Sequence, residues 1–356
     1  MRIDIHCHFL GNGARIADIG NDVYFNADDN QHWFTRILYN LLESDLASME
    51  TDLNRDGKIS TNEYFELIYR LLASSEEIDG LVLLALDAVY SAKTGQLDEK
   101  ATDLWVSNRC LSKKVKELNS RLEDNALGNK KFLLGASVNP NNKDWEAELR
   151  YVLDETDAVL LKLIPSTQHI DLSSPGHRAF YNALQSAEMP LLCHVGPEYS
   201  FPEGIRKREL DFFKKLAYPL ECDVRVIAAH CATPVFPIID RNHVREFSSF
   251  MESANSGGMR LWADTSALSL STRTFFLKEI MDWIPSGWLV HGSDFPIPMD
   301  GWTHLPLLNR KISPEEYIRI CKSKNPLDRD VRIKRAHGFS DLILERGEKI
   351  LAIRNL

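Results

Sequence analysis

A chain of 356 residues with 44% hydrophobic and 26% charged side chains can bury a sizeable core, as two average domains or as one large α/β barrel. Its formal net charge of −9 argues against a nucleic-acid or anionic-membrane surface, and no run of eighteen apolar residues could span a bilayer. The opening "MRIDIHCHFL" enters strand-like alternation at once, leaving no room for a signal peptide, and six scattered cysteines without CxxC spacing read as reduced thiols, so the expected compartment is the cytoplasm.

Short apolar, β-rich runs recur along the chain. In order they are "RIDIHC" (2–7), "GLVLLALD" (80–87), "FLLGASV" (132–138), "AVLLKLI" (158–164), "PLLCHV" (190–195), "VRVIAA" (224–229), "RLWADT" (260–265) and "WLVHGS" (288–293). Helical patterns lie between them, such as "DWEAELRYVLDE" (144–155) and "RAFYNALQSAE" (178–188). Several runs are almost wholly apolar, as parallel strands covered on both faces must be. Eight strands alternating with helices predict an α/β fold, a (β/α)8 TIM-like barrel forming a single domain over 1–356. A Rossmann fold is disfavoured, because no G-x-G-x-x-G follows any strand. The tail "PLDRDVRIKRAHGFSDLILERGEKILA" reads as helix packed outside the barrel.

The first two strands are separated by about seventy residues, far more than a βα unit needs. "FTRILYNLLESDLASMET" and "YFELIYRLLASSEE" are amphipathic helical patterns around "DLNRDGKISTNE" (52–63), which matches D-x-[DN]-x-[DN]-G-x5-E. Asp52, Asn54 and Asp56 take positions one, three and five, Gly57 the sharp turn, and Glu63 the bidentate twelfth position. Lys58 would contribute its carbonyl, and Ser60 would act directly or through water. An EF-hand-like insertion over 31–78, binding Ca²⁺, is therefore expected. The alternative is a helical hairpin with a polar turn. A single loop argues against a paired calcium sensor; it predicts an ion that fixes the first βα unit, with regulation as an extra.

Alternate residues of a strand share a face, so "D-I-H-C-H" is expected to point Asp4, His6 and His8 one way and Cys7 the other. His194 closes "PLLCHV", His230 closes "VRVIAAHC" and Asp294 closes "WLVHGSD", so each polar residue ends an apolar run at the same end of its strand. Barrel enzymes build their active sites at that end. Three histidines and a carboxylate suit Zn²⁺ or a similar divalent ion, with a position left open for water whose pKa falls from 15.7 to about 7. Cys7, Cys193 and Cys231 adjoin these residues but read as small packed hydrophobes. His291 is expected to face outward. Trp262 and Asp264 share a face, lining the pocket or packing the core. The loop 11–30 follows the first strand and is placed to touch substrate.

Taken together, "DIHCHF", "LLKLIPS", "LLCHVGPE", "VIAAHCATP", "DTSAL" and "HGSDFPIP" resemble the amidohydrolase superfamily, in its branch of amidohydrolase-related decarboxylases. The likeness runs over residues 1 to about 10 and 80 to about 300. It implies metal ligands at His6, His8, His194 and Asp294, with Asp294 also shuttling a proton. It further implies that His230 either activates water from the second sphere or binds a second metal. Lys162 corresponds to a lysine that some relatives carbamylate to bridge two metals. Its surroundings fit the mononuclear branch, where it would hold substrate or neighbouring groups. Asp4 is expected to hydrogen-bond a ligand histidine, unless it is only a charge at the strand entrance.

The leading expectation is a metal-dependent hydrolase cutting a C–O or C–N bond of a lactone or amide. The runner-up is a non-oxidative decarboxylase of an aromatic or enoic acid, for which the sequence nominates no cation to hold the carboxylate. A non-catalytic calcium-binding module is the third reading, disfavoured by an intact open metal set. Expected partners are a small-molecule substrate and no nucleic acid or membrane, with room for a homo-oligomer.

Overall fold

The computed structural model describes residues 1–10, 23–25, 61–309 and 312–353. The strands are β1 (Ile3–His8), β2 (Val23–Phe25), β3 (Gly80–Leu84), β4 (Leu104–Val106), β5 (Lys131–Ala136), β6 (Ala158–Leu163), β7 (Leu191–Cys193), β8 (Val226–Ala228), β9 (Leu261–Asp264) and β10 (Leu289–Val290). Eight of them form one parallel sheet in the order β1-β3-β5-β6-β7-β8-β9-β10. The last strand returns to the first. Ile5 N donates to His291 O (3.1 Å), Asp294 N to His6 O (2.7 Å) and His8 N to Phe295 O (2.8 Å), so the curled sheet closes on itself. Every apolar run singled out in the sequence overlaps one of these strands.

Both faces of the sheet are dry, which explains the near-continuous apolar runs. The inner layer holds Ile3, Ile5, Val82, Leu84, Leu160, Leu192, Ile227 and Val290, with Ile350 and Leu351 of the tail packed against it. Alternate residues such as Leu81, Leu83, Leu161, Leu163, Leu191 and Cys193 join the outer layer beneath the helices. Each such fully buried aliphatic chain contributes roughly 1.5–3 kcal/mol. Helices Asn108–Asp124, Trp145–Glu155, Arg178–Ser186, Val244–Ser256 and Leu277–Trp283 follow β4, β5, β6, β8 and β9 and bury one stripe each. The first is capped by Ser107, whose hydroxyl accepts from Cys110 N at 3.1 Å. Helix Pro326–His337 lies outside the barrel, as the tail's pattern predicted, and ends at Gly338 with φ +104°.

β1 departs from regular alternation. Asp4 is level with Leu81 and Cys7 with Leu83, so two residues of β1, Ile5 and His6, oppose the single Val82. This bulge sends Ile5 and His6 to the same side and leaves Asp4 opposite, with Leu81 and Cys7. The expectation that Asp4 shares a face with His6 and His8 is thereby corrected. His6 N, released from the ladder, donates instead to Asp4 Oδ1 at 3.0 Å.

β2 and β4, eighty residues apart, form a two-stranded antiparallel pair that periodicity did not signal. Helix Thr61–Ser74 leads into β3, with Tyr64, Leu67, Ile68, Leu71 and Leu72 buried. Asp52, Asn54, Asp56, Lys58 and Ser60 of the expected calcium loop lie outside the described residues, whereas Glu63 falls in the first turn of this helix. Among the described residues no helix is long and apolar enough to cross a membrane.

Candidate metal centre

The polar residues that end the apolar runs meet at the C-terminal rim of the barrel. His6 Nε2 and His8 Nε2 are 3.3 Å apart, and Asp294 Oδ1 lies 3.0 Å from the first and 3.1 Å from the second. A tetrahedral set at Zn–N distances of about 2.0–2.1 Å has edges of about 3.4 Å, so this triangle has the size of one coordination face. Burial holds the pKa of His8 down at about 4, against the pull of Asp294, so its imidazole is neutral. Burial opposes the charge on Asp294 too, but His6 and His230 outweigh it and keep the carboxyl well below its usual range. Three ligand atoms therefore converge with an ionised carboxylate among them, as a cation site requires. His6, His8 and Asp294 are the residues whose geometry fits an ion among those described.

His6 is held from behind by Asp264, at the end of β9. Its Nδ1 donates to Asp264 Oδ2 at 2.7 Å with both side chains fully buried, which directs the Nε2 lone pair toward Asp294. Burial works against the charge on Asp264, yet His6 and His230 hold it well below the ordinary carboxylate range. Asp4, expected to be this partner, instead accepts from the backbone of His6 and of Ser293 (2.9 Å), and burial pushes its pKa up to about 6. The physical cause is the bulge, which turns Asp4 away from the ring it was expected to orient. Lys162, on β6, places Nζ 3.0 Å from His6 Nε2 and is wholly buried, and burial lowers its pKa.

His194 and His230 form a second pair. His230 Nδ1 lies 3.1 Å from Ser266 O, and its Nε2 lies 3.0 Å from His194 Nδ1. With Nδ1–H donated to the Ser266 carbonyl, His230 Nε2 accepts from His194 Nδ1–H. The bare lone pair of His194 is then at Nε2, a buried atom without a hydrogen-bond partner. His194 is not within the three-residue group, but its orphaned nitrogen is the atom a fourth ligand would offer. Burial lowers His230 to a pKa of about 3, and burial with His230 and Lys162 holds His194 well below its ordinary value.

Backbone geometry aims two of these residues. His230 (φ +61°) and Asp294 (φ +68°) follow β8 and β10 in the left-handed region, at a cost of roughly 1–2 kcal/mol for an ordinary residue. His230 N donates to Asp264 Oδ1 (2.9 Å), as does Ser266 N (3.0 Å), so one carboxylate ties β9 to both the His6 and the His230 arms. Gly292 allows this closeness: a Cβ there would stand 2.8 Å from His6 Cβ and 3.4 Å from Asp264 Oδ2.

Glu198 and Arg273 were not singled out by pattern, and Asp264 was read only as lining the pocket or packing the core. Asp264 obeys the same rule as the ligands, ending the run "RLWAD", and that rule could have found its role. Glu198, buried with its pKa raised by burial, reaches to 3.7 Å from His194 Nδ1, and Arg273 is buried in the loop beyond β9; neither has a periodic signal. Cys7, Cys193 and Cys231 belong to the outer layer, and His291 sits outside the barrel with Nε2 3.6 Å from Asp330.

Comparison with known proteins agrees with this architecture. The amidohydrolase family matches residues 103–334, about two-thirds of the chain, spanning Lys162, His194, His230 and Asp294. The chain belongs to the amidohydrolase family. Among solved structures, a TIM-barrel protein from Bordetella bronchiseptica without assigned activity superposes with a TM-score of 0.50 at 13% identity, covering 94% of this chain and 99% of that one. A 2,6-dihydroxybenzoate decarboxylase (TM-score 0.43, 12% identity, 83% and 95% covered) and a 4-oxalomesaconate hydratase from Rhodopseudomonas palustris (0.42, 13%, 98% and 99%) are also similar. No curated protein matches the sequence.

Proposed function

We propose that this member of the amidohydrolase family is a metal-dependent hydrolase that cleaves the C–O or C–N bond of a lactone- or amide-type substrate. The observation that carries the reading is the triangle of His6 Nε2, His8 Nε2 and Asp294 Oδ1, three ligand atoms within 3.3 Å of one another. These three, joined by the free Nε2 of His194, would hold Zn²⁺ or a similar divalent ion. When bound, such an ion supplies Lewis acidity and lowers the pKa of water.

The chain's own groups supply the rest. Asp264 fixes the tautomer and direction of His6. Asp294 keeps Oδ2 on the His230 side, 3.8 Å from Nδ1, where it can take a proton and return it to the leaving group. His230, anchored by Ser266, presents a neutral imidazole rather than a cation. Lys162 holds an amine of lowered pKa against His6; a bridging carbamate there would belong to a two-metal version of the site. The second reading, non-oxidative decarboxylation of an aromatic or enoic acid, is favoured by the buried cation Arg273.

Assay of the purified protein against lactone, amide and aryl-carboxylate panels, with CO₂ detection, tests the reading. Release of CO₂ with no hydrolysis would replace it by the second. We further propose that residues 52–63 bind one Ca²⁺ within an insertion over 31–78 of a single 1–356 domain, and that the protein works in the cytoplasm. The support is the loop motif and six scattered cysteines without CxxC spacing.

A further inference from the structure

Arg273 follows β9 by nine residues and is 3% exposed. A buried guanidinium is ordinarily saturated with hydrogen bonds and paired with a carboxylate, because removing it from water is costly. Arg332 shows the rule in this fold, donating to Glu77 (2.9 Å), Ser323 (3.2 Å) and Glu76 (2.5 Å). Arg273 breaks it. Its Nε is buried with no hydrogen-bond partner, and among the described residues its side chain makes no ion pair.

The carboxylates of the site nevertheless act on this charge. After burial, Asp294 is the strongest influence on Arg273, followed by Glu198. Its field adds to burial in keeping both His194 and His230 neutral. A structural counter-ion would be placed against one of those carboxylates, and among the described residues Arg273 forms an ion pair with none of them.

We propose that Arg273 is the substrate-binding cation of the site, and that the substrate presents a carboxylate to it beside His6, His8 and Asp294. A planar carboxylate satisfies the guanidinium fork with two parallel hydrogen bonds. Its single charge neutralises the unpaired guanidinium, whereas a dianionic phosphate would leave a charge facing Glu198 and Asp294. This assignment deepens the metal-centre reading and rests on it for where the rest of the substrate lies. It also supplies the carboxylate anchor that the sequence did not nominate.

The test is calorimetric titration with three acid–amide pairs, benzoate, salicylate and crotonate against their carboxamides, on wild-type, Arg273→Met and Arg273→Lys proteins, each zinc-loaded and after chelation. The wild type should favour at least one acid over its amide, and Arg273→Met should lose about thirty-fold or more of that acid's affinity while zinc content stays unchanged. Arg273→Lys should keep part of the preference. No acid preference in the wild type, or a folded Arg273→Met protein binding the acid within threefold of wild type, overturns the proposal. Should Arg273→Met fail to fold, the wild type alone decides: the preference must survive zinc removal, and its disappearance would place the carboxylate on the metal instead. A chain that never binds zinc, yet loses acid preference on Arg273→Met, would sink the metal reading and leave Arg273 standing.

Discussion

His6 and Asp264 lie 258 residues apart in sequence and 2.7 Å apart in space, both fully buried, joined Nδ1 to Oδ2. Burial and Lys162 disfavour a proton on His6, but Asp294 and Asp264 prevail and hold its pKa above the ordinary value. A metal binding Nε2 must displace that proton, so zinc affinity should weaken as pH falls through the region above 6.5. Asp264→Asn keeps the shape and removes one charge. Zinc affinity should drop about 10–100-fold, and the pH at which it weakens should move lower. Competitive chelator titrations at several pH values measure both, and an unchanged affinity would remove Asp264 from the site.

The metal set itself predicts one transition metal per chain. His6→Ala, His8→Ala and His194→Ala should each lower the bound zinc measured by elemental analysis. Full retention in all three variants would discard the assignment. Two ions per chain, with a mass increase of one CO₂ on Lys162, would establish the bridged form.

Asp294→Asn retains an oxygen at Oδ1 but cannot carry a proton. Turnover should fall about 10²–10⁴-fold while zinc stays bound, separating ligation from proton transfer. His230→Asn should also lose rate with zinc retained. Near-normal turnover in either protein, on whichever substrate the panels identify, would reject its role.

Gly292→Ala would push a methyl to within 2.8 Å of His6 Cβ and 3.3 Å of Ser266 Cβ. Overpacking of this kind costs about 1–3 kcal/mol, so the melting temperature should fall and zinc affinity with it. Gly287→Ala, where a Cβ meets nothing within 4 Å, is the control and should leave both unchanged.

Tyr64, one residue beyond the proposed twelfth calcium position at Glu63, donates its hydroxyl to His8 O at 2.8 Å. Its ring packs edge-on to Phe9 (5.7 Å) and against Phe295 (6.3 Å). Calcium should raise the melting temperature by mass action, and Glu63→Gln should remove most of the gain. If the ion only stabilises this helix, chelation should lower stability and leave turnover at low temperature intact. Through Tyr64 it could instead bias His8, in which case turnover should follow calcium at concentrations that barely move the melting point. No calcium effect on either quantity would leave residues 52–63 a turn.

The order of the eight strands, and the strand end at which His194, His230 and Asp294 gather, were legible in the pattern of residues alone. Both are local properties: a strand covered on two faces must be apolar throughout, and the residue ending it, His194, His230 or Asp294, is polar because it emerges at the rim. Which polar groups serve one another followed from long-range packing. The bulge at Ile5 and His6 turned Asp4 outward and gave its expected partner to Asp264, because register is set by pairing with β3 rather than by the spacing of D-I-H-C-H. The β2–β4 pair and the burial of Arg273 have the same origin. Both depend on what distant segments place opposite a residue, and period-two or period-3.6 patterns carry no record of that.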